Sequence, residues 1–110
     1  MKILFLSHTY NKSFISFLKT KGTVVWISEK LDKHTIINFD WVVSYGYKHI
    51  LSKEILENSK NQIINLHISF LPYNRGADPN YWSFKENTPK GVSIHFIDEG
   101  IDTGPLLIQK

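Results

Sequence analysis

The sequence predicts an α/β domain built on a mostly parallel sheet. Three observations predict it. Short apolar runs rich in β-branched residues recur along the chain; helix-patterned segments separate the early ones; and turn residues punctuate the joins. The chain has 110 residues, which is one domain at most. Hydrophobic residues make up 42% and charged residues 21%, a globular balance that disfavours disorder.

Each element follows from local chemistry. Lys2 to Ser7 is nearly all apolar and reads as a buried strand. His8 to Asn11 is a loop, and Asn11 or Ser13 is placed to cap a helix. Phe14, Ile15, Phe17 and Leu18 share its apolar face, and Gly22 stands at the C-cap position. Thr23 to Ile27 is a second strand. Glu29 to Phe39 is polar and weakly patterned, with room for one helical turn. Trp41 to Ser44 is a third strand, closed by the glycine break Tyr45-Gly46-Tyr47. Ser52 caps a short helix carrying Ile55 and Leu56, with Glu54 in its first turn. Ile63 to His67 is a fourth strand. Pro72 and Gly76 mark a long loop, and Pro79 opens a helix to about Glu86. Val92 to Ile97 alternates as a fifth strand, and Leu106 to Gln109 reads as a sixth. That last strand has no helix after it, so the domain is expected to be C-terminally truncated.

Bulk chemistry narrows the function. The formal charge is +3, but the basic residues, all Lys except Arg75, are scattered rather than clustered. A nucleic-acid surface more often gathers them in a stripe, so no nucleic-acid partner is expected. There is no Cys, hence no disulfide and no thiolate metal site. No apolar run reaches the ~20 residues of a membrane span. A signal peptide is not expected, and the chain is expected to be cytoplasmic.

In an open α/β sheet, ligands bind beyond the carboxyl ends of the strands. Asn65 and His67 are two apart on the fourth strand, so their side chains share a face. Asp102 lies in the loop Asp98 to Pro105, just past the fifth strand. A carboxamide can bind an oxyanion without acting as a base. An imidazole titrates near neutrality, and a carboxylate orients it. The trio suits attack of a neutral nucleophile on a carbonyl. No Cys and no Gly-x-Ser-x-Gly elbow is present, so direct transfer is simpler than a covalent acyl-enzyme. On spacing alone this is weak: a lone strand histidine is more often a structural residue, and Asn and Asp at such positions more often cap turns.

The motifs make it specific. The run Asn65-Leu-His-Ile-Ser-Phe-Leu-Pro-Tyr-Asn-Arg-Gly-Ala-Asp-Pro79 resembles the signature of the folate-dependent formyltransferases. Gly91-Val-Ser-Ile-His-Phe-Ile-Asp-Glu-Gly-Ile-Asp-Thr-Gly-Pro105 resembles that family's second motif. The resemblance covers residues 41 to 110; residues 1 to 40 are only a generic Rossmann-like start. It implies a Rossmann-like sheet with flanking helices, a catalytic domain spanning 1–110, and 10-formyltetrahydrofolate as co-substrate without a metal. By resemblance, Asn65 binds the formyl oxygen, His67 supports the transition state, and Asp102 holds His67 and relays a proton. The folate slot is implied at Tyr45, Gly46, Tyr47, Lys48, His49, Ile50 and Leu51, with Asp98, Gly100 and Ile101 on its other wall.

The acceptor implied is an amine, with a nucleotide-linked amino sugar first; hydrolysis of the donor and a non-catalytic folate- or partner-binding fragment are the alternatives. A homodimer is a further expectation. Asn65 arrives earlier than in the purine-pathway members, and Ala77 to Phe84 is more similar to the short sugar-modifying branch than to the methionyl-tRNA branch. Arg75 is expected to tie down the Leu-Pro loop, and Tyr81, Trp82 and Phe84 to pack on the sheet. His95 alternates with core positions and reads as structural. His8 is a candidate contact for a substrate phosphate.

Overall fold

The computed structural model describes residues 1–58, 63–67, 71, 91–97 and 106–110. These form a six-stranded sheet in the order β2-β1-β3-β4-β5-β6. The strands are β1 (Lys2–Leu6), β2 (Thr23–Ile27), β3 (Trp41–Tyr45), β4 (Ile63–His67), β5 (Ser93–Phe96) and β6 (Leu106–Gln109). Helix α1 spans Lys12–Lys19, α2 spans Lys53–Asn58, and a 3-10 turn covers Thr35–Asn38. Strands β1 to β4 run parallel, β5 is antiparallel to β4, and β6, antiparallel to β5, returns to the direction of the first four. The mostly parallel Rossmann-like sheet expected from the sequence is therefore present. The loop expected from Pro72 and the helix expected from Pro79, with Arg75, Tyr81, Trp82 and Phe84, lie outside the described residues.

The central strand β1 is apolar on both sides because both of its faces are covered. Leu4 and Leu6 join Leu31, Ile36, Val42, Leu51, Ile55 and Ile63 on one face. Ile3 and Phe5 join Ile15, Leu18 and Val43 on the other. Successive residues of a strand alternate between faces, so one short run feeds two cores. A fully buried Leu or Phe gains about 1.5–3 kcal/mol from leaving water, and Leu4, Phe5 and Leu6 are all fully buried.

Three local details refine the sequence reading. Asn11 is the cap of α1: its side-chain oxygen accepts from the Phe14 amide at 3.0 Å. Phe17 does not share the buried face with Phe14, Ile15 and Leu18; it is exposed, stacked on Phe14, with the Lys21 ammonium 5.6 Å over its ring. At 100° per residue it falls on the flank of the apolar stripe, where the ring covers its neighbour from outside. Gly22 does not cap the helix, which ends at Thr20 in right-handed conformation. A Cβ at Gly22 would lie 2.2 Å from the Met1 carbonyl oxygen, so close backbone approach at the β1–β2 edge is what requires glycine there.

Candidate active site

The strand order reverses between β1 and β3, since β2 lies to one side of β1 and β3, β4 to the other. The crevice beyond the carboxyl ends at such a point is where open α/β sheets bind ligands. The two strand ends are tied together there: the His8 amide donates to the Gly46 carbonyl at 3.1 Å. Trp26 donates its indole N–H to the Ser7 hydroxyl at 2.8 Å, and that hydroxyl donates to the Thr9 carbonyl at 2.7 Å. His8 itself is exposed at this rim.

The segment Tyr45 to Leu51 follows β3. Gly46 has φ of 66°, the left-handed region that glycine enters at no steric cost, which lets the chain leave the strand sharply. Both ends of the segment are anchored. The Tyr47 hydroxyl donates to the Glu29 carbonyl, its ring packs edge-on against His49, and Leu51 is buried in the core. Between the anchors, Lys48, His49 and Ile50 are exposed, Ile50 at 80%. The segment is thus a ribbon anchored at Tyr47 and Leu51 with a solvent-facing crest between them. Burial raises the Tyr47 pKa above its ordinary 10.0; the nearby Glu29 charge acts the same way, and the Leu31 backbone opposes both.

One strand further on, β4 carries Asn65 and His67 on the same face as Ile63. Ile63 drives that face into the core, and the alternation carries Asn65 and His67 to the carboxyl end with it. Asn65 is half-buried, opposite Ser44 of β3 on one side and His95 of β5 on the other. His67 is 5% exposed and lies opposite Ser93.

The structure brings together two of the three expected catalytic side chains and adds another imidazole. The Asn65 amide nitrogen lies 3.3 Å from His95 Nε2. The rings of His67 and His95 meet edge-on, 6.5 Å between centroids. His95 is 2% exposed, so its expected place in the interior holds, yet it also touches the site. The signal was present in the Ser93-x-His95 alternation. What the sequence lacks is the antiparallel register that sets His95 against Asn65.

A second network fastens the chain just after β4. Ser93 Oγ accepts from the Leu71 amide at 3.2 Å and from Gln109 Nε2 at 3.1 Å, and Gln109 also donates to the Leu71 carbonyl at 2.8 Å. Ser93, opposite His67, is wholly buried. Asp102 and the second wall at Asp98, Gly100 and Ile101 lie outside the described residues. Among the described residues, no group of three His, Asp or Glu could hold a metal ion, and no helix is long and apolar enough to cross a membrane.

A mostly parallel sheet with an amide–imidazole cluster at the carboxyl end of β4 defines a Rossmann-like α/β class. The sequence profile described as Formyl transferase matches residues 27–110, and the chain belongs to that family. The match begins at the end of β2, earlier than the motifs themselves.

Among solved structures, the chain is 47% identical to the formyltransferase PseJ from Anoxybacillus kamchatkensis, with a TM-score of 0.90. The comparison covers 100% of this chain and 59% of that one, which was solved in complex with UDP-4,6-dideoxy-4-formamido-L-AltNAc and tetrahydrofolate. A sugar N-formyltransferase from Shewanella sp FDAARGOS_354 is 26% identical, TM-score 0.78, over 100% of this chain and 56% of that one.

Among curated relatives, methionyl-tRNA formyltransferase of Thermodesulfovibrio yellowstonii is 47% identical over 67% of this chain and 24% of its own length. Formyltetrahydrofolate deformylase of Haemophilus influenzae is 34% identical over 76% of this chain and 29% of its own length. The chain thus spans about a quarter of the length of the curated relatives it matches.

Proposed function

We propose that the protein transfers a formyl group from 10-formyltetrahydrofolate to an amine, with residues 1–110 as the catalytic domain and a nucleotide-linked amino sugar as the acceptor. The observation that carries this reading is the similarity to PseJ, at 47% identity across the whole of this chain, since that enzyme was solved with a folate and a formamido sugar nucleotide. The Asn65–His67 geometry supports the same chemistry. The acceptor nitrogen attacks the formyl carbon, and the carbonyl oxygen takes up negative charge. Asn65 donates an N–H to that oxygen, at the place where charge develops. His67, with Asp102, passes the proton lost by the attacking amine toward the departing folate nitrogen, whose bond to carbon then breaks. The anchored ribbon Tyr45 to Leu51 serves as one wall for the folate, and Asp98, Gly100 and Ile101 as the other.

The relatives differ in acceptor: sugar amine, methionyl-tRNA and, in the deformylase, water. Hydrolysis of the donor is the second reading, favoured by the 34% identity to the deformylase. One experiment separates them. The protein is incubated with 10-formyltetrahydrofolate and UDP-linked 4-amino sugars, charged methionyl-tRNA, or buffer alone, and products are read by mass spectrometry. Formamido sugar is the expected product. Formate released equally with or without an amine would replace this reading with the hydrolase, and formylated tRNA without formylated sugar would reassign the acceptor.

A further inference from the structure

We infer that His95 is the positioning residue of this site: its ring sets the rotation of the Asn65 amide, and so decides whether a donor or an acceptor meets the substrate carbonyl. The inference rests on Asn65 being the carbonyl-binding amide. The argument starts at the far side of the ring. His95 Nδ1 lies 2.9 Å from the Phe96 carbonyl oxygen. A carbonyl only accepts, so Nδ1 carries the proton. In the neutral ring Nε2 is then an acceptor, and the atom 3.3 Å from it is the Asn65 amide nitrogen, a donor. The three groups form one directed chain, Asn65 N–H to His95 Nε2, His95 Nδ1–H to the Phe96 carbonyl.

The chain matters because a carboxamide has two nearly isosteric edges. Both N–H bonds belong to one nitrogen, so placing that nitrogen also fixes where its second N–H emerges. Half a turn of the amide would exchange nitrogen for oxygen and put an acceptor where the developing oxyanion needs a donor. Register makes the control rigid: Asn65 and His95 are directly paired residues of β4 and β5, and His95 is 2% exposed, so the ring has little room to swing. His67, two residues along β4, carries the other imidazole, so the two rings have separate tasks: His67 for the proton, His95 for the amide.

Two measurements on the full chain test this. Isotope-labelled histidine NMR of the wild type should show His95 as the Nδ1–H tautomer with an unprotonated Nε2; the Nε2–H tautomer overturns the inference whether or not any variant folds. In kinetics, His95→Phe keeps the bulk and removes the acceptor. We expect kcat to fall by about 10- to 100-fold, the scale for a misplaced catalytic group, with the folate KM unchanged within about threefold. His95→Gln, whose amide oxygen can accept near the Nε2 position, should recover most of the loss. Combined with Asn65→Ala, His95→Phe should add little further loss, because both remove the same oriented donor. Multiplicative losses, or His95→Phe matching a wild type that does transfer formyl, refute the positioning role and leave the functional reading intact.

Discussion

Replacing Asn65 with Asp is the most informative single change, because it preserves shape and inverts the electrostatics. The side chains are nearly isosteric, so packing opposite Ser44 and His95 is retained. Losing the donor costs about 10²- to 10³-fold in kcat, the range for an oxyanion-hole group. The carboxylate adds repulsion: two unit charges about 4 Å apart at an effective dielectric of about 20 oppose each other by about 4 kcal/mol. Asn65 is half-buried and His95 lies 3.3 Å away, so a proton recruited to that ring offsets part of the repulsion. The net expectation is a kcat at least ~10³-fold below wild type and below that of Asn65→Ala. Thermal stability should fall by about 1–3 kcal/mol, since the carboxylate and the His95 Nε2 both accept and pair only after the ring takes up a proton. The assay is formyl transfer to the amine under saturating donor, beside a melting curve. Asn65→Asp turning over as fast as Asn65→Ala, or faster, would refute the oxyanion role.

Three further outcomes follow from the geometry. Ser93→Ala removes an acceptor used by the Leu71 amide and by Gln109, so it should destabilise the fold by about 1–3 kcal/mol, read by urea denaturation. Asn11→Ala removes the cap on the Phe14 amide and should cost about 1 kcal/mol of stability, with little change in turnover. The Tyr47 pKa is raised by folding, so the native state holds that proton more tightly than the unfolded chain. Its contribution is full below the ordinary value of 10.0 and is lost as pH rises through the folded value; Tyr47→Phe should flatten the decline of stability above about pH 10.

Much of this fold could be read from residue order because its core signals are local. The run Lys2 to Ser7 needs no tertiary context to read as a buried strand, and its neighbours in sequence supply the covering helix. Asn65 and His67 sharing a face follows from strand alternation alone. The direction of β5 and β6 is different. Val92 to Ile97 has the same pattern whether the strand runs with β4 or against it, so the Asn65–His95 pairing is invisible until the sheet is assembled. Phe17 and Gly22 depart from the sequence expectation for a related reason: one is decided by a ring packing over its neighbour, the other by a backbone brought close from Met1. Asp102 is expected only through the motif around it, since a lone loop carboxylate carries no signal of its partner, and it lies outside the described residues.

The alternation that places Asn65 and His67 also makes the site all-or-nothing with respect to chain slippage. Both residues hang on one strand with a repeat of two, flanked by Ile63 and Ile64 facing opposite cores. Inserting or deleting a single amino acid before Asn65 would not weaken the cluster by degrees. It would send both polar groups to the α1 side and present Leu66 in their stead, so laboratory evolution of this protein should tolerate conservative substitutions at Ile64 and Leu66 while rejecting length changes in β4.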